Sequence, residues 1–309
     1  MRGIIDIGSN TMRLSFYQTE GETFKLLFSK KSMAGLAAHI DECNNLTKAG
    51  IKNAINVLLE FKTLLNNLSN PPVDVIATAS LRNVNNTQEA IAAIDKATGF
   101  NIILLSGTEE AHYDSQAVRL GMRLDKVKKA DNFVVVDIGG GSTEMVICDH
   151  GKTVDECSFP VGSLNQFMRH VDYLIPTKDN RKVIEENIKG HMHNRWKKGV
   201  PQIPLIAGVG GSVRTALKLY SKHYNLDADN GVMEMKRIKK LIKEFSPTGK
   251  ESVIKLTKIA PERIHTLIPG MIILHTVADV VGAQTIAVSN WGVREGYLIH
   301  LLEQAKSHA

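Results

Sequence analysis

The chain has few of the residues that staple a protein. Only Cys43, Cys148 and Cys157 occur in 309 residues. They are odd in number, widely spaced and without a C-x-x-C pair, which excludes a complete disulfide framework and leaves no zinc or redox motif. All three are expected to be buried thiols in a reducing compartment. No long apolar run could span a bilayer, and Met1-Arg2-Gly3 passes straight into a short strand without the apolar core and cleavage site of a signal peptide. The expectation is a cytoplasmic protein that does not engage a membrane. Aromatic residues make up 6% of the chain and no Lys/Arg block is interleaved with them, so a nucleic-acid stacking platform is absent and no nucleic acid is expected as partner. There is no low-complexity segment and no short-period repeat.

With 43% hydrophobic and 23% charged residues, the composition is that of a globular protein. Its length suits two domains better than one core. The 38 Lys and Arg against 32 Asp and Glu give +6, a balance that steers polyanionic ligands inward without identifying one.

Two loops echo one another. Ile5-Asp6-Ile7-Gly8-Ser9-Asn10-Thr11 opens the chain, and Val136-Asp137-Ile138-Gly139-Gly140-Gly141-Ser142-Thr143-Glu144 recurs at a spacing of 137 − 6 = 131 residues. Each reads as a buried strand ending in Asp, a small-residue turn and a second strand. Glycine lets backbone amides converge on a phosphate, because no Cβ blocks the approach and positive φ is open to it. An Asp beside such a turn would repel phosphate unless a divalent cation lay between them, so the pairing predicts a metal-bridged phosphate site built twice. The plain alternative is two hairpin turns with no ligand. Two strand-turn-strand loops at domain-scale separation resemble the actin, sugar kinase and Hsp70 superfamily. That resemblance implies an α/β fold of duplicated actin-like (RNase H-like, ASKHA) domains with the active site in the cleft between them.

Along the chain, Thr47 can cap a helix carrying Ile51, Ile55, Leu58, Leu59, Leu65 and Leu68 at helical spacing, ended by Asn66-Asn67 and Pro71-Pro72. Strand 73–78, helix 87–98 stopped by Gly99, strand 102–105 and helix 108–122 follow. Strands alternating with helices predict a sheet with parallel members. The polar stretch Arg123–Asn132 is the expected boundary between domain I (1–122 with a C-terminal helix 297–309) and domain II (123–296). The second half repeats the plan: a hairpin from Val134 through Asp149-His150-Gly151-Lys152 to Phe159, a helix near 180–198 and a strand at 204–207. Gly208-Val209-Gly210-Gly211-Ser212 then opens a helix and points free amides outward, and a last helix starts near Val293.

Ser106-Gly107-Thr108-Glu109-Glu110-Ala111 sets two carboxylates at a helix start after a strand edge. One could serve as a base for water, or both could simply offset the helix dipole. In Thr78-Ala79-Ser80-Leu81-Arg82 the arginine follows a strand end, where a guanidinium suits bidentate phosphate contact as well as plain surface exposure. These segments occur in order with the two Asp-Ile-Gly loops, Gly208–Ser212 and Trp291-Gly292-Val293-Arg294-Glu295-Gly296. Together they closely resemble the exopolyphosphatase/guanosine pentaphosphate phosphohydrolase (Ppx/GppA) family over nearly the whole chain. Sugar kinases and Hsp70 proteins share the glycine turns but lack the Ser-Gly-x-Glu-Glu-Ala motif.

The resemblance implies that Glu110 activates water and that Asp137 and Glu144 hold or orient Mg²⁺ or another divalent cation. It further implies that Ser9, Asn10, Gly139, Gly140, Gly141, Ser142, Gly210, Gly211 and Ser212 cradle phosphate, and that Arg82 neutralises charge on the transferred group. Three departures stand out. The chain ends at Ala309 without the helical C-terminal region of long members, which points to the short two-domain form. Lys30-Lys31-Ser32-Met33-Ala34-Gly35 replaces a segment in which members often carry Arg. Ile264-His265 follows Arg263 where the family usually has Ala-Asp, leaving Arg263 as a phosphate contact or a helix-surface residue. His191 and His193 point apart on a helix and read as surface residues, and Lys236-Arg237-Ile238-Lys239-Lys240 reads as a solvated helix face or the wall of a polyanion channel.

The expected activity is Mg²⁺-dependent release of terminal phosphate from inorganic polyphosphate, with short chains favoured. The alternative substrate is guanosine pentaphosphate. A polyphosphate or alarmone sensor and an ATP-dependent kinase or ATPase are the rivals from other classes. Family resemblance implies a homodimer.

Overall fold

The computed structural model describes residues 1–68, 70–121, 132–150, 152–200, 202–245 and 249–307. Contacts divide the chain into two units, Met1–Tyr113 with Val293–Ala309, and Asp114–Gly292. The stretch in which a boundary was expected, Arg123–Asn132, lies outside the described residues except for Asn132, as do Met122, Gly151 and Ala309.

In the first unit a five-stranded sheet has the order β3-β2-β1-β4-β5, formed by β1 (Arg2–Ile7), β2 (Thr11–Glu20), β3 (Thr23–Met33), β4 (Val73–Ala77) and β5 (Ile102–Leu104). β1 is antiparallel to β2 and parallel to β4. Ile4, Ile5 and Ile7 are all buried, as expected for a central strand covered on both faces. One face packs on α1 (Lys48–Asn66) and α3 (Thr87–Thr98) through Leu14, Leu58, Phe61, Ala90 and Ile94. Thr47 caps α1, its side chain accepting from the Gly50 amide at 3.2 Å. Gly99 ends α3 in the left-handed region at φ 71°. Between them, α2 is the single turn Ala79–Arg82.

The other face, with Ile4, Tyr17 and Ile76, packs on α4 (Gly107–Gly121) and on α11 (Val293–Ser307) through Tyr113, Tyr297 and Leu298. The division between units falls inside α4, after Tyr113. This contact explains the Trp291–Gly296 motif. A Cβ on Gly296 would lie 1.8 Å from the Tyr113 carbonyl oxygen, Tyr17 donates to Glu295 Oε1 at 2.6 Å, and Arg294 donates to Ser15 Oγ at 3.1 Å. The motif docks the last helix on its sheet.

In the second unit, β6 (Phe133–Ile138), β7 (Thr143–Asp149), β8 (Lys152–Phe159), β9 (Leu205–Val209), β10 (Val232–Glu234) and β11 (Thr285–Val288) take the order β10-β11-β9-β6-β7-β8. Read from β8, this is the order of the first sheet with β10 added at the far edge. Its helices are α5 (Ser163–His170), α6 (Lys178–Arg195), α7 (Gly210–Tyr224), α8 (Met235–Glu244), α9 (Lys250–Ile259) and α10 (Leu267–Val281). α10 is apolar nearly all round and forms the centre of this core, with Leu267, Met271, Ile272, Leu274, Val277 and Val281 buried.

Two expectations change. Cys43 is exposed; only Cys148 and Cys157 are buried thiols. None of Gly8, Gly139, Gly140 and Gly141 has positive φ, so these turns use glycine for its missing side chain and not for left-handed backbone. No helix among the described residues is long and apolar enough to cross a membrane.

Candidate active site

The two Asp-Ile-Gly hairpins are built alike. Ile7 pairs with Met12 and Ile138 with Thr143, leaving a four-residue loop in each. The first loop residue donates to the carbonyl of the fourth, Gly8 to Thr11 at 3.2 Å and Gly139 to Ser142 at 3.0 Å. Their strand partners differ: Asp6 faces Arg13, and Asp137 faces Glu144.

In the first unit, Ser9 is buried and the loop is held from below by Ala37, whose amide donates to the Ser9 carbonyl at 2.9 Å, and by Gly35, which donates to the Asn10 carbonyl at 2.9 Å. Asn10 Nδ2 is buried without a hydrogen-bond partner, a donor left to satisfy by a ligand. The two carboxylates at the start of α4 have separate tasks. Glu109 accepts from the Ser106 amide at 2.8 Å while Ser106 Oγ accepts from the Glu109 amide at 3.1 Å, a reciprocal capping box. Glu110, one residue on, is buried and receives Arg82 Nη1 at 2.9 Å. The same nitrogen donates to the Leu105 carbonyl at 2.9 Å. Arg82 reaches this place because α2 is a single turn anchored by Ser80, which donates to the Ile7 carbonyl at 2.6 Å. The structure therefore brings Arg82 and Glu110 together as a part-buried pair.

In the second unit, the carbonyls of the Gly139–Ser142 loop are occupied from behind by the start of α5. Ser163 donates to Gly139 O, and Leu164 and Asn165 to Gly140 O, each at 2.9 Å. Asn165 Nδ2 adds a bond to Gly141 O at 2.8 Å. Among the described residues the Gly140 and Gly141 amides have no acceptor, so this loop offers donors as a phosphate cradle does. Parallel pairing of Asp137 with Val209 places the start of α7 beside the Asp137 carboxylate. Gly210 there has φ 82°, and a Cβ on it would lie 1.9 Å from Asp137 Oδ1. A Cβ on Gly211 would lie 2.1 Å from Arg263 Nη2. Ser212 is buried, 3.3 Å from Ser163 Oγ. Burial and the neighbouring Arg214 hold the Arg263 guanidinium below its usual pKa, with Glu262 and Asp137 opposing them. An anion at this turn would favour its charged form.

Glu144 is buried and accepts from Ser158 Oγ at 2.7 Å. Facing carboxylates on adjacent strands fit a hard cation, since Mg²⁺ takes one or two carboxylates and fills its sphere with water and substrate phosphate. Among the described residues there is no cluster of three or more His, Cys, Asp or Glu side chains that could hold a metal ion. Burial, with Asp155 nearby, pushes the Cys157 thiol up to about 12, so this neighbour of Ser158 is no nucleophile.

Sequence reasoning missed Gly162 and Asn165. A Cβ on Gly162 would meet Gly140 C and O and Gly141 N at 2.5 Å, so Gly162 lets α5 sit directly behind the loop. The local signal was only a glycine before a helix.

Comparison with known proteins finds relatives over nearly the whole chain. The model of the Ppx/GppA phosphatase family matches residues 16–305. A putative exopolyphosphatase of Haemophilus influenzae is 25% identical over 96% of this chain and 90% of its own length. A guanosine-5'-triphosphate,3'-diphosphate pyrophosphatase of Aeromonas hydrophila is 22% identical over 96% of this chain, which spans 58% of that protein. The crystal structure of the Aquifex aeolicus Ppx/GppA family member superposes with a TM-score of 0.77 at 25% identity, covering 98% of both chains. An exopolyphosphatase from Cytophaga hutchinsonii shares the fold, with a TM-score of 0.83 at 20% identity over 98% of both chains. The fold is the duplicated actin-like α/β fold, and with the family model covering almost all of its length, the chain belongs to the Ppx/GppA phosphatase family.

Proposed function

We propose that this chain is an exopolyphosphatase, hydrolysing the terminal phosphoanhydride of inorganic polyphosphate with Mg²⁺ and preferring short chains. The observation that carries the reading is the division at the start of α4: Glu109 is consumed by the cap, while Glu110 is buried and oriented by Arg82. In this reading Glu110 takes a proton from water as the water oxygen attacks the terminal phosphorus. The bond to the bridging oxygen breaks, its electron pair leaves with the shortened chain, and orthophosphate is released. Arg82 fixes the Glu110 rotamer and adds positive charge for the transferred group. Asn10 Nδ2 and Ser9 in the first unit, and the Gly140 and Gly141 amides, Ser142, Ser212 and Arg263 in the second, are the groups assigned to phosphate oxygens, which suits a reaction that needs positioning and charge stabilisation above all. A divalent cation held by Asp137 with Glu144 would neutralise charge on those oxygens.

A second reading, hydrolysis of the 5′ end of guanosine pentaphosphate, draws support from the Aeromonas hydrophila relative. In either reading the working form is taken as a homodimer on the family resemblance, and as cytoplasmic and acting without nucleic acid on the composition of the chain. Phosphate release from short polyphosphate, long polyphosphate, guanosine pentaphosphate and ATP, assayed in parallel, separates the readings. Release fastest from short polyphosphate is expected; release from the pentaphosphate alone would favour the second reading. Binding without turnover on all four would make the protein a sensor. Glu110→Gln is expected to lower phosphate release by at least about a hundredfold while leaving polyphosphate binding nearly intact. Full activity in that variant removes Glu110 from the mechanism.

A further inference from the structure

Away from the glycine loops, α6 and α8 enclose a cavity of about 660 Å³ lined by Lys178, Arg181, Lys182, Lys239, Lys243 and His275, with Glu185 as its one carboxylate. Its floor is apolar, formed by the buried Ile242 and Phe245. Arg181 belongs to the frame: its guanidinium donates to the carbonyls of Pro176, Ile242 and Phe245, tying α6 to the end of α8. The lysines have no such task. Lys182 comes only within 3.9 Å of Asp179. Among the described residues Lys178, Lys239 and Lys243 make no ion pair, whereas their neighbour Arg237 pairs with Glu234.

The lysines are spaced four apart on each helix, Lys178 and Lys182 on α6 and Lys239 and Lys243 on α8. Residues four apart lie one above the other at about 6 Å, so each helix presents a short rail of repeated positive charge to the same cavity. The α8 rail carries no carboxylate between its lysines, whereas on α6 Asp179 and Glu185 lie beside theirs. His275 of α10, which lines the same cavity, lies close enough to the α8 rail to be affected by it. Its pKa is held down by burial and by Lys239 and Lys243 of α8 and Lys189 of α6, with Asp279 of its own helix opposing them.

We propose that this cavity is a second, non-catalytic anion site that binds a segment of a phosphate chain. Repeated charge at regular spacing matches a chain of linked phosphates better than the compact charge of a nucleotide, whose phosphates are the other source of the same chemistry. The choice of polyphosphate rests on the function proposed above; the existence of the anion site does not.

The test is an NMR titration of the His275 imidazole in the intact chain in excess EDTA, assigned by its loss in His275→Gln, with tripolyphosphate as the probe. Bound anion offsets the lysines, so the His275 pKa is expected to rise. In the double variant Lys239→Gln/Lys243→Gln, the half-saturating tripolyphosphate concentration is expected to increase by about tenfold, the scale of two exposed lysine contacts. Both positions are solvent-exposed, and phosphate release by this variant is expected to be unchanged. Long polyphosphate is expected to occupy the site at lower concentration than guanosine tetraphosphate. A His275 pKa unmoved by saturating tripolyphosphate, or a double variant that titrates as the parent does, overturns the site. Tighter binding of guanosine tetraphosphate overturns the chain assignment, and lost phosphate release in the double variant overturns its non-catalytic character. A chain that binds at His275 yet hydrolyses no polyphosphate would instead overturn the function proposed above.

Discussion

Replacing Gly162 by alanine should displace the Gly139–Ser142 loop with one methyl group, and with it the proposed hold on phosphate. The backbone at Gly162 has φ −122° and ψ 164°, open to any residue, so the effect is steric and not conformational. The new Cβ would lie 2.5 Å from Gly140 C, Gly140 O and Gly141 N, where ordinary contact begins at 3.4 Å. The Gly140–Gly141 peptide must retreat by about 3.4 − 2.5 = 0.9 Å, or α5 must tilt away by as much. Neither is free, because Gly140 O holds the Leu164 and Asn165 amides at 2.9 Å each. Such overpacking costs roughly 1–3 kcal/mol of stability. A shift near 1 Å in groups that position the substrate costs on the order of a hundredfold in rate. Phosphate release and thermal unfolding, measured together, should show that fall in rate with the protein still folded. Gly190→Ala is the control: nothing lies within 4 Å of its added Cβ on α6, so activity should hold and stability rise by up to about 1 kcal/mol. A Gly162→Ala protein that turns over and melts as the parent does would refute the account of the loop.

Excess EDTA is expected to abolish phosphate release and added Mg²⁺ to restore it; release persisting in EDTA would rule out the metal roles of Asp137 and Glu144. His275 and His265 are both held below the ordinary histidine value of 6.5, His275 by burial and the lysines around it and His265 by burial and Arg263. The unfolded chain therefore takes up protons first, so their contribution is complete above 6.5 and is lost as pH falls from there toward their folded-state values. Thermal melts between roughly pH 7 and 5.5 should show this loss, with a shallower slope in His275→Gln, and an unchanged slope would refute it.

Features written in local periodicity were legible in the sequence. Thr47 caps its helix, Gly99 stops another, and the two Asp-Ile-Gly hairpins mark equivalent strands of two sheets. Chemistry that depends on adjacency in space was less so. Glu109 and Glu110 are indistinguishable as letters, and only the Ser106 cap and the Arg82 contact assign them different work. Gly162 looks like any glycine before a helix until α5 is seen against Gly140, 22 residues back in the chain. Arg263 could be a surface residue on sequence grounds, and it gains its place from a turn formed by Gly210 and Gly211, far away in the chain. The lysines of α8 were visible as a run, but the cavity they line needs α6 as its other wall. Cys43 went the other way: scarcity suggested burial, and no periodic pattern contradicted it.

The repeated sheet carries a different facing pair in each unit. The offset of 131 that maps Asp6 onto Asp137 maps Arg13 onto Glu144, so the facing pair is Asp with Arg in the first unit and two carboxylates in the second. The facing pair is thus of opposite charge in the first unit and of like charge in the second, where Asp137 also acts on the charge of Arg263. The neighbouring parallel strand diverges in the same sense. Asp6 lies beside Ile76 and Asp137 beside Val209, so the next residues, Ala77 and Gly210, are equivalent. Ala77 still belongs to β4, and the following helix begins only at Ala79; Gly210 is itself the first residue of α7. An alanine at 210 would place its Cβ on the Asp137 carboxylate, and the positive φ there lets the helix start at once. The second unit thus brings backbone donors and carboxylates close together, which suits holding phosphate with a metal. In the first unit the same junction runs on into α2, which carries Arg82 to Glu110.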